Sequence, residues 1–212
     1  MASIVRDRVR AQMVREIKDR ALAQLAAGGA AALSISAIAK ELGVSGPALY
    51  RYFPSRDALL ADLIVDAYGD LAEALDRAAP GLPALAAAYR SWALAQPHRY
   101  RLLYGAPLPG YDAHDQRLVT AAQRAMNVLV ARIGPGPEPD DRLAGQLRAW
   151  AGRSGTDADP ATALRAVTAW SRLHGAVSLE IEGNYASMGI DPELLFAAEV
   201  EALSNGPLSS GP

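Results

Sequence analysis

Tyr50, Arg51, Tyr52 and Arg56 place two phenol hydroxyls and two guanidinium groups within seven residues. Such donors suit phosphate oxygens. Leu49 and Phe53, four apart, would face inward on a helix and leave Tyr50, Arg51 and Tyr52 on its outer side. That helix is expected to run from Pro47 to Phe53. Pro47 sits in its first turn, where a missing N–H costs nothing, and Pro54 stops it. Just upstream, Ile38, Ala39 and Leu42 recur at helical spacing, with Ser36 placed to cap the segment and Gly43 placed to end it in the left-handed region. Two short helices joined by Gly43-Val44-Ser45-Gly46, the second bearing exposed aromatic and basic side chains, make the helix-turn-helix pattern. The chemistry this predicts is binding to double-stranded DNA. Base readout falls to Ser45, Gly46, Pro47 and Ala48, through backbone groups and packing on thymine methyls, and Ser36 can add a hydroxyl or helix-end N–H contact. These are weak readers, so operator shape should carry more of the specificity.

Other chemistries find little support. The three histidines, His98, His114 and His174, are scattered, and no second His or Cys stands at ligand spacing, so no metal site or cofactor is expected. An enzyme would need a nucleophile with its base, or paired carboxylates in a cleft, and neither is evident. The glycines of residues 134–139 follow no strand and precede no Lys-Ser/Thr pair, which argues strongly against a phosphate loop. Cysteine is absent, which excludes disulfides and fits a reducing cytoplasm, the expected location. Alanine-rich apolar runs far short of a membrane span argue against membrane insertion, and the N-terminus lacks the apolar core of a signal peptide.

The overall charge of −2 hides an asymmetry. Residues 1–60 hold nine Lys and Arg against five Asp and Glu, whereas residues 61–212 hold twelve against eighteen. A basic N-terminal quarter on an acidic body fits a polyanion partner for the first part alone.

Helices must position these groups. Residues 4–27 read as one helix whose apolar stripe includes Ile4 or Val5, Val9, Met13 or Val14, Ile17, Ala21, Leu22 and Leu25. Its outer arginines, Arg6, Arg8, Arg10 and Arg15, read equally as phosphate contacts or as a solvated face. Ser55 caps a long helix to about residue 79, with Asp57 in its first turn. Its acids, among them Asp62, Asp66 and Asp76, read as solvated. Further helices are expected at 83–96, from Pro97 to Gly105, at 112–133, at 140–152 and from Pro160 to Gly183 or Tyr185, with a rigid loop at 106–111. The last, capped by Asp191, runs from Pro192 to Leu203. No strand alternation occurs, so the fold class is all-α: a three-helix DNA-binding domain at 1–54, a helical regulatory and dimerisation bundle at 55–204, and a disordered tail at 205–212. Half the residues are hydrophobic, enough for a packed core. Tyr68, Tyr89, Trp92, Tyr104, Met126, Trp150, Trp170 and His174 lie on several helices of the body. They are candidates to line a mostly apolar ligand cavity, although each one alone reads as readily as core. Gly175, Ala176 and Ser178 permit close helix approach. With the apolar faces of 160–183 and 192–203 they suggest a surface that pairs with its own copy in a two-fold dimer.

The runs Ile38–Ser45 and Leu49–Leu60 resemble the DNA-binding domain of TetR/AcrR-family transcriptional regulators, over about sixty residues without a gap. Many members carry lysine where Arg56 stands. The resemblance implies that Tyr50, Arg51, Tyr52 and Arg56 bind phosphates and hold the short helix in the major groove. It further implies a repressor, homodimeric through its last two helices, that leaves a pseudo-palindromic operator when a small effector binds the body and shifts the long helix. Trp170, His174 and Gly175, with residues 97–111, are similar to a C-terminal domain named for its Trp–His–Gly signature. A ligand-independent DNA-binding dimer, its body only a scaffold, is the alternative.

Overall fold

Helix caps and glycine stops set the element order. The computed structural model describes residues 2–105 and 115–205, and all of its regular elements are helical. They are α1 (Ala2–Gly28), a 3₁₀ turn (Ala30–Ala32), α2 (Ile35–Glu41), α3 (Gly46–Tyr50), α4 (Arg56–Arg77) and α5 (Leu82–Ala95). After these come α6 (Pro97–Tyr104), α7 (Gln116–Ile133), α8 (Asp141–Arg153), α9 (Pro160–Ile181), α10 (Asn184–Ser187) and α11 (Pro192–Asn205). The expected loop at 106–111, the expected helix start at 112–114, and the tail beyond Asn205 lie outside the described residues. Asn205 itself, assigned to the tail from sequence, closes α11. The extra turn α10 follows Gly183, whose φ of 74° ends α9 earlier than the apolar pattern suggested.

Short polar side chains begin the helices by accepting from backbone N–H groups that have no partner in the helix. Ser55 Oγ accepts from Ala58 N at 3.0 Å, and Asp191 accepts from Glu193 N at 2.8 Å, both as the sequence predicts. Asp159 adds a side-chain bond to its cap: its carboxylate takes Thr162 N and Thr162 Oγ1, each at 2.9 Å. These bonds hold its proton affinity below the usual carboxylate range. Asp159→Ala is expected to lower stability by about 1 kcal/mol and the unfolding temperature by about 2–4 °C, read by calorimetry.

The described residues form two compact units, one within 1–67 and 98–119, the other within 68–97 and 120–212. In the first, Ile17, Ala21 and Leu25 of α1 meet Leu33, Ile35, Ile38, Ala39, Leu49, Phe53, Leu59, Leu60 and Leu63 in one buried cluster. The outer end of the α1 stripe does not join it. Ile4, Val5 and Val9 are 65, 61 and 59 % exposed, because α1 continues past the elements that cover its inner half. The α4 acids are not merely solvated: Lys18 Nζ lies 3.3 Å from Asp62 and 2.8 Å from Asp66, and Arg117 also pairs with Asp62.

In the second unit α9 is central, packing on α5, α8, α10 and α11. Ala161, Ala163, Ala166 and Ala169 are buried along it and keep the helix spacings close. Arg90 of α5 makes a two-pronged pair with Glu180 of α9, at 2.8 and 2.7 Å. The same guanidinium lies 5.4 Å from the ring centre of Phe196 on α11, so one arginine ties three helices.

Candidate DNA-binding site

The turn before α3 is built by Gly43. Its N–H donates to Lys40 O and Val44 N donates to Ala39 O, while Gly43 adopts φ 66°, the paired-bond stop that favours glycine. Ser45 then caps α3 by accepting from Ala48 N at 3.3 Å, with Gly46 and Pro47 in the first turn. Leu49 is fully buried and Phe53 nearly so, which turns the other side of this single-turn helix outward. Tyr50 is 51 % exposed and Arg51 is exposed beside it. The helix is shorter than its expected span to Phe53. Arg51 already serves as its C-cap, although Phe53 N still donates to Leu49 O.

Three expected site residues are placed differently from their neighbours. Ser36 is not the cap of α2: the cap is Ser34, whose Oγ accepts from Ala37 N, and Ser36 Oγ lies 3.0 Å from Ser34 Oγ. The cap stands two residues earlier than the sequence suggested, because Ile35 is itself a core residue at the start of the helix. Tyr52 is half-buried against the cluster, with the Arg10 guanidinium 5.2 Å from its ring centre, so α1 reaches the segment that follows α3. Arg56 turns its guanidinium onto backbone: Nε donates to Leu33 O at 3.2 Å, and Nη2 donates to Ala30 O. Sequence reasoning had no local signal for these contacts. Gln24, likewise missed, accepts from Ser34 N at 2.9 Å.

The eight candidate pocket residues are divided between the two units. Tyr104 belongs to the first unit and the other seven to the second. Tyr89 and Trp92 are buried in α5, and Trp170 stacks on His174 with ring centres 5.8 Å apart. An open groove of about 790 Å³ in the second unit is floored by Leu82, Leu164, Ala169 and Ala202, and a shallower one is lined by Arg124, Asn127 and Ser154. None of the eight lines either. No group of three or more metal-ligating side chains occurs among the described residues, and no helix among them is long and apolar enough to cross a membrane.

Burial lowers the pKa of His174, and burial with the nearby Arg101 charge lowers that of His98. Both therefore bind fewer protons folded than unfolded. Their contribution is intact above the usual value of 6.5 and is lost as pH falls below it. The unfolding temperature is expected to drop between pH 7 and 5.5, and to drop less in a His98→Gln/His174→Gln variant.

Residues 17–63 match the family described as bacterial regulatory proteins, tetR family, and residues 82–203 match the tetracyclin repressor-like C-terminal domain. HTH-type transcriptional regulator Rv1816 of Mycobacterium tuberculosis strain H37Rv is 36 % identical, with 92 % of each chain covered. Rv0681, an uncharacterized HTH-type regulator of the same strain, is 30 % identical over 92 % of this chain and 82 % of its own. Among solved structures, the regulatory protein SCO4313 superposes with a TM-score of 0.86 at 43 % identity, covering 94 % of this chain and 98 % of the other. FadR from Bacillus subtilis, solved with stearoyl-CoA, shares the fold alone: TM-score 0.56 at 18 % identity, with 91 and 98 % covered. With both halves of the chain matched to the same family, and regulators rather than enzymes as its relatives, this protein belongs to the TetR family of bacterial transcriptional regulators.

Proposed function

We propose that the protein is a homodimeric repressor whose residues 1–54 bind a pseudo-palindromic operator, and whose residues 55–204 dimerise and take up a small, mostly apolar effector. The carrying observation is α3, which buries Leu49 and offers Tyr50 and Arg51 to solvent behind a backbone entrance of Ser45, Gly46, Pro47 and Ala48. Tyr50, Arg51 and Tyr52 hold phosphates there, and the four entrance residues meet base edges. Dimerisation is supported by large apolar side chains left exposed at one end of the second unit: Leu179 on α9, Met188 and Ile190 in the link, and Leu194 and Leu195 on α11. An effector site near α5 is supported by Trp92, whose buried Nε1–H finds no acceptor among the described residues. Trp170, His174 and Gly175 support the Trp–His–Gly assignment of the C-terminal domain. Release requires the effector to prefer the non-binding conformation by a real difference in affinity.

Binding of the purified protein to DNA upstream of its own coding sequence, across a salt series, tests this reading. Tight, salt-sensitive binding is expected for the wild type. Tyr50→Ala and Arg51→Ala should weaken it tenfold or more, and Arg51→Ala, which removes one phosphate contact from each head of the dimer, should make the dependence on log salt shallower by about 1.8. No preference over random DNA would sink the local autoregulator. A ligand-independent dimer is the second reading, favoured by the burial of Tyr89 and Trp92 as core residues of α5. A screen of apolar carboxylates and aromatics for thermal shifts that also release DNA separates the two.

A further inference from the structure

The turn between α1 and α2 has little of its own to hold it. Gly29 turns the chain at φ 65°, three alanines follow, and two backbone bonds close the 3₁₀ turn, Ala32 N to Gly29 O at 3.1 Å and Leu33 N to Ala30 O at 3.3 Å. Side chains from elsewhere supply the rest. Gln24 of α1 accepts from Ser34 N, and Arg56, from the first turn of α4, donates to both Ala30 O and Leu33 O. Arg56 Nη1 also lies 3.9 Å from Asp57 Oδ1. Two of its five N–H groups are spent on these carbonyls and a carboxylate lies beside the third nitrogen, so the guanidinium is oriented onto the turn and its charge is already partly countered.

We propose that Arg56 is a positioning residue. It anchors the first turn of α4 to the turn that feeds α2, and so sets the register of the helix-turn-helix without contacting phosphate. α2 begins two residues after Leu33 and packs on α3, so a displaced turn at 30–33 misplaces the segment that meets DNA. α4 is unbroken from Arg56 to Arg77, which makes Arg56 the point where movement of that helix pulls on the backbone before α2. Lysine cannot replace it, because one ammonium on a flexible stem does not span two carbonyls as a planar fork does. The inference rests on the DNA-binding reading above, and it separates Arg56 from Arg51.

Two measurements on the full-length protein test it: hydrogen exchange without DNA, and binding to a duplex recovered by selection from a random-sequence pool, each for wild type, Arg56→Lys and Arg56→Ala. Both variants are expected to exchange the amides of residues 32–38 at least tenfold faster. Both should bind at least tenfold more weakly, with a salt slope equal to that of the wild type. Wild-type exchange in both variants would overturn the inference. So would a slope shallower by about 1.8 in Arg56→Ala, restored with full affinity by lysine, because that is the signature of one phosphate contact in each head of the dimer. Arg56→Lys keeps the test decisive if the alanine variant fails to fold. If the wild type selects no sequence, the operator reading fails, and the exchange measurement still decides whether Arg56 holds the turn.

Discussion

In the dimer proposed above, Leu194→Glu is expected to leave a folded monomer. Leu194 is 70 % exposed and Met188 64 % exposed in the single chain, so a carboxylate at 194 loses little intramolecular packing. In a two-fold pair the same carboxylate would be brought against apolar side chains and left without a partner, a cost that disfavours association strongly. Light scattering should give twice 22.3 kDa for the wild type and 22.3 kDa for the variant, with unchanged helical content. The effect on DNA binding should be larger than that of any single phosphate contact. Two linked heads see the second half-site at an effective concentration in the millimolar range, so monomerisation lowers full-operator affinity by about 10²- to 10⁴-fold. A variant that remains a dimer would move the interface away from the link and the start of α11. A monomeric wild type would remove the two-half-site argument altogether.

Arg90→Ala should be among the most destabilising substitutions at any polar position of the second unit. The Arg90 and Glu180 side chains are only 19 and 11 % exposed, and the hydrogen bond to Glu180 is the main reason that Arg90 holds its proton above the usual arginine value. Removing the guanidinium strands a nearly buried carboxylate and uncovers one face of Phe196. Breaking a fully buried pair costs about 3–5 kcal/mol. Discounted for the water that reaches this one, about 2–3 kcal/mol is expected, or roughly 4–12 °C in the unfolding temperature. Arg90→Met combined with Glu180→Leu should recover most of the loss, since an apolar replacement of the whole pair leaves no charge unpaired. Chemical unfolding of the two single variants and the double variant measures the coupling directly. Equal losses in all three would mean that shape around Phe196, rather than charge, is what the pair protects.

The sequence alone determined what depends on neighbours within one or two helical turns. The Gly43 stop, the Ser45 and Ser55 caps, the inward faces of Leu49 and Phe53, and the start of α11 at Asp191 are all set by bonds spanning five residues or fewer, and local chemistry fixes such bonds wherever the chain goes. Even here an error of two residues arose: Ser34 and Ser36 are equally good caps on paper, and burial of Ile35 decided between them. Tertiary structure alone decided the partners of long, flexible, charged side chains. Arg56 meets carbonyls 23 and 26 residues away, Lys18 meets Asp66 across 48, and Arg90 meets Glu180 across 90. Nothing in the spacing of such residues announces the contact, because it exists only once the helices have packed. The exposure of Ile4, Val5 and Val9 follows the same logic. A periodic apolar stripe says which face of α1 can be buried, and only the placement of the other helices says how much of it is.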